Sequence, residues 1–285
     1  MKPEKFREIV RKKLEKKVPE ENLALIPSGF QRIGKIAILN LPEELHKHKR
    51  MIGNAVLKNF SYVKTVCMRT GSITGELREP RVKIIAGEKT TVTTHRENKC
   101  VYKIDVARLM FSKGNLLERG RLPNIVRKGE TVVDMFAGIG YFSIPIAKLA
   151  KPARVFAIDK NPVAMEYMKE NIRLNKVGDR MVPVFGDCMV VRFGDIGDRI
   201  IMGFLPKTYE FLPAAFEALK PEGGVIHYHD TFAKEELWEK PIQILETSGF
   251  KHGYVLERVT YKNIVKEYAP NIFHVVLDAE FRKRR

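Results

Sequence analysis

Asp134, Asp159 and Asp187 each close an apolar run, Thr131-Val132-Val133, Val155-Phe156-Ala157-Ile158 and Val182-Pro183-Val184-Phe185, so three carboxylates fall at three expected strand ends. Between the first two lies Ala137-Gly138-Ile139-Gly140-Tyr141, where glycines let the backbone turn sharply and approach a ligand before a helix resumes. Strand, tight turn, helix and acidic strand end, in that order, describe a nucleoside-cofactor site. Asp134 decides which cofactor. A dinucleotide fold offers bare backbone N–H groups to a pyrophosphate at that point, and a carboxylate there repels phosphate. It suits S-adenosylmethionine, which carries an ammonium and a sulfonium and no phosphate. Asp159 can accept from both ribose hydroxyls, a role that NAD sites share. Gly138-x-Gly140-x-x-Ser143 departs from the dinucleotide fingerprint at its last position. An NAD or FAD site and a ligand-free turn are the competing readings. Asp187 is placed to accept the adenine amino group, or else to cap its own strand end.

Upstream, Phe111 to Arg121 concentrates polar groups around Gly114. Arg119 could grip the carboxylate of the cofactor's amino-acid tail through its guanidinium fork, and Ser112 could hydrogen-bond the same tail or the base. An Arg on a helix, paired with Glu118, is the plainer alternative. His227 and His229 share one face of a strand, and such a pair can hold a metal. No third ligand is evident, so packed, hydrogen-bonded histidines and no metal are expected.

Positioning these residues requires a regular frame. The pattern predicts strand 131–136, helix 141–150, strand 153–158, helix 162–175, strands 181–186 and 198–202, helix 208–219, strand 224–229 and helix 233–248. Strands 251–259 and 271–280 follow, with no helix between them. Alternating β and α elements demand a parallel sheet covered on both faces, and the last two strands should form an antiparallel hairpin at its edge. This is an α/β fold, the Rossmann-like class I methyltransferase layout with a mostly parallel seven-stranded sheet, preceded by a small α+β domain. The expected divisions are residues 1–28, a basic N-terminal helix (3–17) and linker; 29–104, a small RNA-contacting domain; and 105–285, the transferase domain. In the small domain, strands are expected at 33–39, 62–68, 81–86 and 90–95, with a helical segment over 43–59. The basic end, Arg282 to Arg285, reads as a frayed tail.

The 285 residues exceed the ~100–200 of a usual single domain. No apolar run approaches the ~20 residues of a membrane span, and the N-terminus lacks a signal-peptide core, so a cytoplasmic protein is expected. Cys67, Cys100 and Cys188 form no C-x-x-C pair and read as reduced, packed thiols. The net charge of +17 is uneven: residues 1–130 carry 29 Lys and Arg against 14 Asp and Glu, or +15, and the remainder 22 against 20, or +2. A polyanion contacting the first half is the direct reading, because Lys and Arg displace counterions condensed on phosphates.

The chain resembles archaeal tRNA guanine-N1 methyltransferases acting beside the anticodon and, more closely, their relatives the wyosine-pathway aminocarboxypropyltransferases. The resemblance covers residues 30–280. It rests on His95-Arg96-Glu97-Asn98, Lys103 to Ala107, the Phe111-Ser112 turn with Glu118-Arg119, Asp134-Met135-Phe136-Ala137-Gly138-Ile139-Gly140, Glu170 to Asn175, and Asp198 to Gly203. The methyltransferases look like Asn-Leu-Pro after the fourth strand, with the Asn near the target base. Here Gly203-Phe204-Leu205-Pro206 stands in that place and offers the guanine edge no side-chain partner. The resemblance therefore implies transfer of a 3-amino-3-carboxypropyl group from S-adenosylmethionine to carbon 7 of 4-demethylwyosine in the anticodon region of tRNA(Phe), with methylthioadenosine as the other product. It also implies cofactor contacts from Ser112, Arg119, Asp159 and Asp187. It assigns no general base and needs no obligate protein partner. Guanine-N1 methylation and non-catalytic RNA binding are the alternatives.

Overall fold

The computed structural model describes residues 6–72, 75–112 and 114–284. Two compact units emerge: residues up to Glu97 with Val101–Phe111, and Asn98–Cys100 with Ser112 onward. The boundary thus falls at 111/112, beyond the expected 104/105.

In the first unit, β1 (Gln31–Ile33), β2 (Ile36–Leu39), β3 (Thr65–Arg69) and β4 (Val82–Gly87) form a sheet in chain order. β2 and β3 are parallel, joined through a 3-10 turn and α3 (Lys49–Asn59), which follows α1 (Phe6–Leu14) and α2 (Glu20–Ala24). A separate hairpin pairs β5 (Val92–Glu97) with β6 (Cys100–Asp105). The expected single strand 33–39 is instead a hairpin turning at Gly34. There φ is +54° and a Cβ would stand 2.3 Å from the Thr94 carbonyl oxygen, so only glycine fits. α1 is not a separate N-terminal segment. Phe6, Val10 and Leu14, one stripe at a spacing of four, enter the same core as Leu39, Ile52 and Val66. Residues 3–5 of the expected helix lie outside the described residues.

The second unit is a seven-stranded sheet in the order β12-β13-β11-β10-β7-β8-β9. Its strands are β7 (Thr131–Asp134), β8 (Arg154–Asp159), β9 (Met181–Phe185), β10 (Arg199–Met202), β11 (Gly223–Ala233), β12 (Tyr254–Ala269) and β13 (Ile272–Lys283). The five from β9 to β11 are parallel, and β13 runs antiparallel between β11 and β12. The helices are α4 (Leu116–Ile125), α5 (Ser143–Pro145), α6 (Pro162–Asn175), α7 (Leu212–Ala218) and α8 (Glu239–Lys251). Val133, Ile200, Met202, Ile226 and Leu277 share one core with Phe216 of α7 and Leu245 of α8. Because β7 pairs with β8 on one side and β10 on the other, the winding reverses there. The carboxyl ends of these strands open a ligand crevice.

Three expectations needed correction here. The helix over 141–150 shortens to α5 plus a π-helical turn, Ile146–Ala150, because Pro145 lacks the N–H that would continue the ladder. β12 extends to Ala269 with four register shifts against β13. The basic tail is not frayed: Arg282 and Lys283 belong to β13, and the Arg284 N–H donates to the Gly253 carbonyl at 2.8 Å. Arg285 lies outside the described residues, none of whose helices is long and apolar enough to cross a membrane.

Candidate cofactor site

Asp134 ends β7 fully buried. One carboxylate oxygen accepts from the Ser143 hydroxyl at 2.6 Å and the other from the Phe136 N–H at 3.4 Å. Burial pushes its carboxyl up to about 7, against the pull of those hydrogen bonds. Asp134 is therefore held against Ser143 at the start of α5, away from solvent. Ser143, the departure from the dinucleotide fingerprint, is the residue that holds it there.

The turn itself is glycine-dependent. Gly138 has φ +57° and Gly140 φ +94°, and a Cβ on Gly138 would stand 2.6 Å from the Tyr141 ring. Positive φ at both positions bends the backbone sharply after β7, and Tyr141 and Ile144 already fill the space a Cβ would take, so only glycine fits. The Gly138 N–H donates to one Asp159 oxygen at 2.7 Å and the Asn161 N–H to the other at 2.8 Å. Asn161 also caps α6, accepting from Val163 and Ala164. Burial raises the Asp159 carboxyl, and these backbone donors oppose the shift. Each Asp159 oxygen keeps acceptor capacity for a ribose hydroxyl. Asp187 accepts from the Met189 N–H at 2.9 Å, the strand-end cap, while its other oxygen lies 3.4 Å from the Lys160 ammonium, and the side chain stays partly exposed.

Arg119 lies on α4, buried, and its Nη1 donates to the Ser112 carbonyl oxygen at 2.9 Å. Ser112 thus contributes its backbone. Arg119's charge acts on the Tyr141 phenol, whose ring lies against Gly138. Ser112, Arg119, Gly138 and Asp159 are so brought together, with Asp187 joined through Lys160. Glu118 pairs with Arg121. Lys113, in the same turn, lies outside the described residues.

Across the crevice, the register Met202↔Tyr228 sets His229 level with Gly203. His229 Nδ1 meets His274 Nε2 at 3.0 Å, and His227 Nδ1 meets the Asp278 carboxylate at 2.7 Å. Burial, with His274 and His227 nearby, keeps the His229 imidazole well below its ordinary range and neutral. Asp230 anchors the loop after β10, accepting from the N–H groups of Lys207 at 2.9 Å and Tyr209 at 3.2 Å and from the Tyr228 hydroxyl at 2.7 Å. Sequence reasoning missed Ser143, Tyr141 and Asp230. Ser143 carried a signal, its place three residues after Gly140, whereas the loop that Asp230 anchors lies over twenty positions away from it.

Residues 93–257 match the TRM5/TYW2 methyltransferase domain and residues 10–90 the TYW2 N-terminal domain. The chain is 44% identical over 254 residues to the tRNA(Phe) (4-demethylwyosine(37)-C(7)) aminocarboxypropyltransferase of Methanocaldococcus jannaschii, covering 89% of this chain and 98% of that one. It is 39% identical to the tRNA (guanine(37)-N(1))-methyltransferase Trm5b of Pyrococcus abyssi, over 97% of this chain and 80% of the relative. The crystal structure of P. horikoshii TYW2 in complex with MeSAdo superposes with a TM-score of 0.85 at 37% identity, covering 97% of this chain and 99% of that one. With a family model over residues 93–257 and relatives this similar over nearly the whole chain, the chain belongs to the TRM5/TYW2 family.

Proposed function

We propose that this protein transfers the 3-amino-3-carboxypropyl group of S-adenosylmethionine to carbon 7 of 4-demethylwyosine at position 37 of tRNA(Phe). The observation that carries the reading is the near full-length similarity to an aminocarboxypropyltransferase, joined to a glycine at position 203. The cofactor supplies a sulfonium with three electrophilic carbons, and the carbon facing the nucleophile is the one transferred. In aminocarboxypropyl transfer the bond from sulfur to the tail carbon breaks as the new bond to carbon 7 forms. The sulfonium becomes the neutral thioether methylthioadenosine, and carbon 7 loses its proton. The relative's complex with MeSAdo supports this product.

In this reading Asp159 takes the ribose hydroxyls, Asp187 the adenine amino group, Arg119 the tail carboxylate, and the Ser112 carbonyl aims Arg119. Gly138 permits the tight turn whose N–H orients Asp159, and Asp134, when ionised, supplies negative charge behind that turn. Exposed Arg7, Lys12 and Lys13 on α1 belong to the basic half suited to the phosphates of the anticodon region. Action on tRNA implies a cytoplasmic enzyme.

Mass spectrometry of tRNA after incubation with S-adenosylmethionine tests the proposal, with guanosine-bearing and 4-demethylwyosine-bearing substrates compared. An aminocarboxypropyl gain on the second, with methylthioadenosine released, is expected. A methyl gain on the first would overturn it in favour of guanine-N1 methylation, the activity named for the Trm5b relative.

A further inference from the structure

α4 carries Arg119, yet little in its own sequence fixes its seat. Its N-cap Asn115 makes no side-chain cap, Pro123 interrupts its ladder, and Leu116 and Leu117 in its first turn are exposed. Besides the buried Leu122 and Pro123, a largely buried ionic chain holds it. Glu118 is fully buried and accepts from both Arg121 Nε (2.9 Å) and Nη2 (2.8 Å). Arg121 then crosses to β13, where Nη1 and Nη2 grip the two Asp278 oxygens at 2.6 and 3.0 Å. Its guanidinium lies 3.8 Å over the Tyr261 ring of β12, and the Tyr261 hydroxyl donates to Glu118 at 3.3 Å. Beyond Asp278 the chain continues to His227 on β11 (2.7 Å), to Arg199 on β10 (3.2 Å), and to Glu130, 2.5 Å from Arg199 and immediately ahead of β7.

One line of hydrogen-bonded groups so ties α4, with Arg119, to the start of β7, with Asp134. Breaking a buried pair leaves an uncompensated charge, so rotation of α4 about its axis is strongly opposed. Arg119 sits between the two anchored positions, 118 and 121, and any rotation carries its guanidinium away from the Ser112 carbonyl and the glycine turn.

We propose that Arg121 is a positioning residue for the transfer reaction: gripping Glu118 and Asp278, it fixes the azimuth of α4, hence Arg119, hence which sulfonium carbon faces the acceptor. The inference rests on the reading of Arg119 as the tail-carboxylate contact. It assigns selectivity between tail and methyl transfer to a residue that touches neither cofactor nor base.

The test compares Arg121→Met, Arg121→Lys and Arg119→Ala in the full chain with 4-demethylwyosine-bearing tRNA. Three quantities are read: S-adenosylmethionine affinity per folded molecule, the ratio of methylthioadenosine to S-adenosylhomocysteine released, and the melting temperature. Arg121→Met should weaken cofactor binding about 10- to 100-fold, the scale of losing the hydrogen bond from the Arg119 guanidinium to the tail carboxylate, and raise the S-adenosylhomocysteine share. Arg121→Lys, which keeps the charge without the fork, should restore part of both. A melting temperature that falls while affinity and product ratio stay as in the parent would overturn the inference. If Arg121→Met does not fold, Asp278→Asn loosens the same grip and is read the same way. Unchanged affinity in Arg119→Ala would sink the underlying role of Arg119. A loss in Arg119→Ala with none in Arg121→Met would sink the positioning role alone.

Discussion

Replacing Asp134 with Asn should make the ligand-free fold more resistant to rising pH while weakening its grip on cofactor. The carboxyl moves from its ordinary 3.8 to about 7 because it is fully buried. At ~1.4 kcal/mol per pH unit, ionising it inside the fold costs about 4 kcal/mol. An unfolded chain releases this proton near 3.8, and the folded one near 7. Between those values the folded state holds the extra proton, so stability falls as pH rises, by ~1.4 kcal/mol per unit. The contribution is complete below 3.8 and gone above about 7. Asn removes this slope and keeps the packing: its oxygen can accept from Phe136 and its amide can donate to Ser143. Urea unfolding followed by circular dichroism across pH 5 to 8 measures the outcome. The stability of Asp134→Asn relative to the parent should climb by about 2–3 kcal/mol from pH 5 to pH 7 and then level off. Cofactor affinity at pH 7.5, by calorimetry, should drop about tenfold or more with the negative charge removed. Parallel pH slopes for the two proteins, or an Asn variant weaker than the parent at pH 8, would refute the argument.

Arg119→Ala should cost about 1.5–3 kcal/mol of S-adenosylmethionine binding through loss of a charged hydrogen bond, read by calorimetry. Gly138→Ala should cost about 1–2 kcal/mol of fold stability for a side chain at positive φ, and more in cofactor affinity as Tyr141 is displaced; chemical denaturation and equilibrium binding read the two separately. Asp230→Ala leaves the Lys207 and Tyr209 N–H groups and the Tyr228 hydroxyl without their shared acceptor. It should lower stability by at least about 2 kcal/mol and raise KM for tRNA more than for cofactor, measured by denaturation and steady-state kinetics.

The second unit was largely legible in the sequence because its signals are local. Asn161-Pro162 opens α6 and a stripe of buried Met165, Met168 and Ile172 follows, so the expected helix 162–175 agrees with Pro162–Asn175. The edge hairpin followed from two strand patterns with no helix between them. α4 was hidden because charged Glu118 and Arg119 are buried beside Leu122 and Pro123, leaving no apolar stripe to mark the helix, and Asp278, the partner of Arg121, lies 157 positions away. At the site, the chain order of Asp134, Gly138 and Asp159 was enough to name a nucleoside cradle. That Asp134 points down toward Ser143, and that Ser112 contributes its carbonyl, depend on rotamers and three-dimensional seating that no spacing encodes.

The two outer strands of the seven-stranded sheet guard it against recruiting other chains. An unpaired strand edge presents a row of N–H and C=O groups that invites another strand to continue the sheet. β9, one margin, is only five residues long and carries Pro183, which has no N–H to offer. β12, the other margin, spans sixteen residues, but its four register shifts break the regular spacing a docking strand would need, and Glu257, Arg258, Lys262, Lys266 and Glu267 put charged side chains along it. A sheet with one long margin strand is therefore a poor template for sheet-to-sheet extension, and the irregular pairing of β12 bears on association as much as on shape.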